Sequence, residues 1–142
     1  MNTEIILLPL ALMVLLTLIA WIRMFILRIP AMSEAQVDIK VVRSQKLKEL
    51  LPEEVNISAE HFVNLFEIPI LFYLLVICLY ISQSVNDWYI YGCFAFVTFR
   101  YLHTFIHLSY NNVMHRFITY LFSSLILWGM WLNFTWLLIK SV

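Results

Sequence analysis

The sequence holds 142 residues, of which 63% are apolar, 16% aromatic and 13% charged, and its mean hydropathy is +0.86. Soluble domains carry about 45–50% apolar and about 25% charged residues, so a soluble domain, a disordered chain, a collagen and a disulfide scaffold are all excluded. Nine basic against nine acidic side chains leave no net charge, and no nucleic-acid partner is indicated.

Four stretches of 20 to 23 residues carry the apolar content: residues 5–27, 62–81, 88–108 and 117–139. At a rise of ~1.5 Å per residue each reaches about 30–35 Å, enough for a hydrocarbon core of ~30 Å. The alternating pattern of a spanning barrel is missing. The expected fold class is an all-α membrane protein, a single domain over residues 1–142 forming an up-down-up-down bundle of four transmembrane helices.

The first stretch reads as a retained helix and not a secretory signal peptide. Its leader, Met1-Asn2-Thr3-Glu4, is acidic and its apolar run exceeds the ~7–15 residues of a signal sequence. Residues 28–61 form the one sizeable polar stretch, expected as a cytoplasmic loop. Pro30 and Pro52 bracket residues 31–51, where Val37, Val41 or Val42, and Leu47 recur at near-helical spacing. Two readings of that segment stand, an amphipathic surface helix and a solvated loop. Arg28, Lys40, Arg43, Lys46, Lys48 and Arg116 fall on one side of the membrane and Lys140 on the other. The positive-inside rule then puts both termini away from the cytoplasm. Trp21, Trp88, Tyr89, Tyr91 and Trp136, near helix ends, suit interfacial anchors.

Ionisable groups inside a bilayer cost about 2.5–3.5 kcal/mol each, so the few present call for a reason. Asn64 and Glu67 share a face of the second helix, one turn before Pro69, which bends it. Arg100, His103 and His107 form one stripe on the third helix, and Arg116, Tyr120 and Ser123 another on the fourth. All three stripes lie toward the cytoplasmic ends and can converge. One reading makes Glu67–Arg100 a buried ion pair joining two helices. The other makes the cluster a ligand site whose surplus of arginine suits an anionic head group. A metal or haem site is a third possibility, with His103 and His107 joined by Glu67. The arginines and the incomplete ligand set weigh against it, and no metal is expected. His61 and His115 fall at membrane boundaries, where exposed histidine is unremarkable in function. Cys78 and Cys93 lie in apolar runs without basic neighbours, which favours packing over a disulfide or a reactive thiol.

Asn64-Leu-Phe-Glu67-Ile-Pro69 resembles the second-helix signature of the MAPEG family of membrane proteins in eicosanoid and glutathione metabolism. Arg100-Tyr-Leu-His103-Thr-Phe-Ile-His107, followed by Arg116 and Tyr120, is similar to the helix-three and helix-four signature of its prostaglandin synthase and glutathione transferase branch. The resemblance spans Asn64 to Tyr120 in motif and the first helix in hydropathy. It implies a homotrimer in which glutathione, as co-substrate, lies between subunits near the cytoplasmic side. It further implies that Asn64, Glu67, His103, Arg116 and Tyr120 contact glutathione; Arg100 and His107, on the same α5 stripe, complete the expected binding set, and Arg116 and Tyr120 are the expected catalytic residues.

The chemistry fits that implication: arginine grips carboxylates, Glu67 takes the amine, and a cation near sulfur favours thiolate. Three positions depart from the branch pattern. Val63 stands where it has arginine, His107 where it has tyrosine, and Phe117 where it has serine. The expected function is a glutathione-dependent transferase or peroxidase acting on a lipophilic electrophile. The alternative is a non-catalytic protein binding lipid or a partner on the same scaffold. A short chain without an evident retrieval signal points to a bacterial inner membrane.

Overall fold

A computed structural model of the protein describes residues 3–36 and 44–141. A 3-10 turn, Thr3–Ile6, leads into α1 (Leu7–Glu34); α2 (Ser44–Leu50) is short; α3 (Glu53–Asn64) and α4 (Ile68–Ile81) follow; α5 spans Asp87–Leu108 and α6 Val113–Ser141. No strand occurs among the described residues. Three segments are long and apolar enough to cross a membrane: Thr3–Glu34, Glu53–Ile81 and Val113–Lys140. The fourth helix of the bundle, α5, is the one that carries the arginine–histidine stripe. Its 22 residues span about 33 Å at the helical rise.

The expected boundaries need correction at three places. The first helix does not stop at residue 27 but runs through Pro30 to Glu34. The second begins at Glu53 and not at residue 62, so much of the expected 28–61 loop is helical. Glu53, Glu54, Asn56 and Glu60 hide that helix in a hydropathy plot, yet Val55, Ser58 and His61 recur on its buried face. The fourth begins at Val113, where the Asn112 side chain accepts from the Met114 and His115 amides at 3.0 and 3.2 Å. That is the cap an Asn supplies at a helix start. Asn86 does the same for α5 through the Tyr89 amide at 3.2 Å. Of the proposed amphipathic segment, Val37, Val41 and Val42 lie outside the described residues, and Leu47 is half-buried in α2.

The second span is broken, not merely bent. Between α3 and α4 the backbone makes two tight turns, Leu65 N–H to the Phe62 carbonyl at 3.2 Å and Phe66 N–H to the Val63 carbonyl at 2.9 Å. Pro69 is the physical cause: it has no N–H to give the Leu65 carbonyl, and its ring crowds that carbonyl. It restarts the helix within the first turn of α4, where a missing donor costs nothing.

The core is a single apolar cluster in which Phe72 of α4 stacks on Phe96 of α5 with centroids 4.4 Å apart. Polar groups that enter it are paired across helices. Tyr89 O–H donates to Asn133 at 2.7 Å, Tyr101 O–H to the Leu12 carbonyl at 2.8 Å, and Trp131 Nε1–H to the Leu71 carbonyl at 3.1 Å. Between α5 and α6 the backbones approach closely at Gly92, where an added Cβ would fall 2.6 Å from Met130 Sδ. Cys78 and Cys93 are both free, the latter buried.

Candidate functional site

The helix break, the polar stripe of α5 and the first two turns of α6 meet at one end of the bundle. Arg100 is fully buried. Its Nη2 donates to the Asn64 carbonyl at 2.9 Å, and the guanidinium carbon lies 5.7 Å from the Tyr120 ring centroid. Asn64 is the last residue of α3, so its carbonyl has no partner within that helix, and the guanidinium supplies one. The Glu67–Arg100 ion pair, one of the readings of this cluster, is not among the ion pairs of the described residues. Glu67 is exposed at the break, and the ion pairs among the described residues are Arg23–Glu54 and Lys48–Glu60, at 3.2 and 3.1 Å. A carbonyl freed by the break is a nearer partner for the buried guanidinium than an exposed carboxylate. Glu67 remains within electrostatic reach of Arg100.

Arg116 is half-buried, and its Nη1 donates to Asn111 Oδ1 at 2.7 Å. Asn111 holds a left-handed backbone, φ 48°, which Asn tolerates better than most residues. Together with Asn64, Arg116 lines a cavity of about 420 Å³ that Arg28, Lys48 and Glu60 also reach. Three cations thus face one carboxylate there. Tyr120 is half-buried, 6.1 Å between ring centroids from His103. Asn64 and Arg116 therefore share the cavity wall, Arg100 is tied to it through the Asn64 carbonyl, His103 and Tyr120 adjoin Arg116 and Arg100, and Glu67 is exposed.

His107 adjoins His103 and lies outside the cavity lining. It is fully buried and faces His61, 5.0 Å between ring centroids, with His103 at 5.7 Å. His61 is a correction as well: it is fully buried and central, not an exposed boundary residue. Its place on the same face of α3 as Asn64, three residues on, was the available signal. His115 is exposed and paired with Tyr110 at 2.9 Å. Several donors at this end have no partner among the described residues: Arg100 Nε and Nη1, and Arg116 Nε. Val63 and Phe117, two of the three departures from the branch pattern, are each 58% exposed.

A second, apolar groove runs between α1 and α5, about 680 Å³, bounded by Leu12, Leu15, Val97, Tyr101, Leu102 and Phe105 among others. Only Thr98 and the Tyr101 hydroxyl, itself bonded to α1, break its hydrocarbon lining.

No curated protein and no solved structure matches the chain. The family model described as MAPEG family matches residues 6–136, which takes in every described helix from α1 to most of α6. With that coverage, and with the Asn64–Glu67 break, the α5 stripe and Arg116 gathered at one end of a helical membrane bundle, the chain belongs to the MAPEG family.

Proposed function

We propose that this protein is a glutathione-dependent membrane enzyme that conjugates or reduces a lipophilic electrophile, with glutathione bound near the cytoplasmic end of the bundle. The observation that carries this reading is the basic cavity in which Asn64 and Arg116 meet Arg28 and Lys48. Glutathione brings two carboxylates, an amine and a thiol. The Arg116 guanidinium, which lines the cavity, fits a carboxylate, and a cation beside the sulfur favours thiolate. Tyr120, beside Arg100 and His103, is the candidate hydroxyl for the thiol, since Phe117 offers none. The apolar groove between α1 and α5 suits the lipophilic partner.

The reading includes a homotrimer with sites between subunits. Glu67 is exposed within the Glu53–Ile81 span, where a carboxylate facing lipid is costly. A neighbouring subunit, and the amine of a ligand held there, would relieve that cost. A bacterial inner membrane, with both termini away from the cytoplasm, completes the reading.

One observation favours the non-catalytic alternative. Arg100 caps the Asn64 carbonyl and Arg116 is held by Asn111, so part of each guanidinium already serves the fold. Turnover separates the two. The enzyme reading predicts glutathione-dependent consumption of an activated aromatic chloride or an organic hydroperoxide by the purified protein. Glutathione binding without any turnover would favour the alternative.

A further inference from the structure

We propose that His61, His103 and His107 form a site for a zinc-class divalent cation inside the bundle, with three imidazole ligands and a fourth, open position. One ligand nitrogen from each residue lies within 4.8 Å of the others, and all three residues are buried. In tetrahedral zinc sites the metal–nitrogen distance is ~2.0–2.1 Å, which puts ligand nitrogens about 3.4 Å apart. A bound metal would draw the three rings inward from the present spacing.

The hydrogen-bond inventory points the same way. His61 Nδ1 and Nε2, His107 Nδ1 and Nε2, and His103 Nε2 are buried and have no hydrogen-bond partner among the described residues. Such a group of orphaned ring nitrogens is unfavourable in a low-dielectric interior, and one cation would satisfy a nitrogen on each ring. His103 differs from the other two in a telling way. Its Nδ1 lies 3.1 Å from the Arg116 carbonyl. A carbonyl only accepts, so Nδ1 carries the proton and the buried Nε2 keeps its lone pair free for a metal. A backbone carbonyl fixing the tautomer of a ligating histidine is the usual outer-shell arrangement of metal sites.

The ligands come from two helices, His61 from α3 and the His103–His107 pair, one turn apart, from α5. Glu67 is not among them, being exposed at the helix break. An all-imidazole set excludes magnesium and calcium, which take oxygen ligands, and suits zinc, copper or nickel. Arg100 and Arg116 add positive charge nearby, although each guanidinium is turned to another partner, the Asn64 carbonyl and Asn111. Their field selects an anionic fourth ligand, hydroxide over neutral water. The site does not depend on the glutathione reading, and its test uses metal alone.

The test is Co2+ and Zn2+ binding to tag-free, chelator-treated full-length protein in detergent, with no thiol present. The expected result is one metal per chain and the intense visible bands of tetrahedral Co2+. His61→Ala, His103→Ala and His107→Ala should each weaken Zn2+ binding by ~100-fold or more, while His115→Ala, outside the cluster, leaves it unchanged. X-ray absorption at the zinc edge of the unaltered protein should show three imidazoles, a readout that stands even if a variant fails to fold. A pale octahedral Co2+ spectrum, fewer than three imidazoles, or binding that survives all three substitutions would overturn the site.

Discussion

The Arg100 guanidinium donates to the backbone carbonyl of Asn64 at 2.9 Å, joining the polar stripe of α5 to the point where the second span breaks. The two features cause one another's tolerance. Pro69 breaks the helix and frees carbonyls, and the buried arginine has a carbonyl to bond because the helix breaks. Arg100→Met removes a charge-assisted donor from a part-buried acceptor and should destabilise the protein by about 1.5–3 kcal/mol. Arg100→Lys should recover part of that, being a single point donor in place of a planar fork. Thermal unfolding in detergent, followed by circular dichroism, reads both variants against the unaltered protein.

The break itself answers to Pro69. In Pro69→Ala a backbone N–H becomes available to the Leu65 carbonyl, so the helical ladder can close across residues 65–67. Hydrogen exchange should show new protection at position 69 and slower exchange through 65–67. Unchanged fast exchange there would mean that something other than proline holds the break open.

Tyr89 and Asn133 form the tightest side-chain link between α5 and α6, at 2.7 Å. Tyr89→Phe keeps the ring and leaves Asn133 short of a donor, so it should cost about 1 kcal/mol. Asn133→Leu in the same background should cost little more, because the interaction is already lost. A double-mutant cycle on unfolding midpoints checks the coupling.

Gly92 supports the same interface by absence of a side chain. Gly92→Ala drives a Cβ to within 2.6 Å of Met130 Sδ. Met130 is flexible and gives way, so the expected penalty is about 1–2 kcal/mol. Adding Met130→Ala should remove the clash and leave only the ordinary cost of a shortened core side chain, again measured by thermal unfolding.

The bundle was legible in the sequence because a membrane span is a property of twenty consecutive residues, and so was the bend, because proline acts on its own backbone. What escaped was decided by neighbours. The α3 helix was hidden by Glu53, Glu54 and Glu60, which lower its mean hydropathy while Val55, Ser58 and His61 face inward. His61 looks like any boundary histidine until α5 is set against it. The Glu67–Arg100 pairing was reasonable from charge alone. It lost to a backbone carbonyl, and a free carbonyl is invisible without the fold. Asn64, Arg100, His103, Arg116 and Tyr120 do gather at one end of the bundle, while His107 lies between His103 and His61 and Glu67 is exposed.

Calorimetric titration of glutathione into the detergent-purified protein and into Arg116→Ala and Arg116→Lys tests the central claim most directly. Arg116 reaches the basic cavity with Asn64, and its Nε has no partner among the described residues. Charge-assisted hydrogen bonds are worth about 1.5–3 kcal/mol, so Arg116→Ala should weaken glutathione binding by roughly ten- to a hundred-fold. Arg116→Lys should recover little of it, since the planar fork is what matches a carboxylate, and circular dichroism should show both variants folded. Saturable binding by the unaltered protein with that pattern of losses is the predicted result. An absence of glutathione binding, or binding indifferent to both substitutions, would contradict the site.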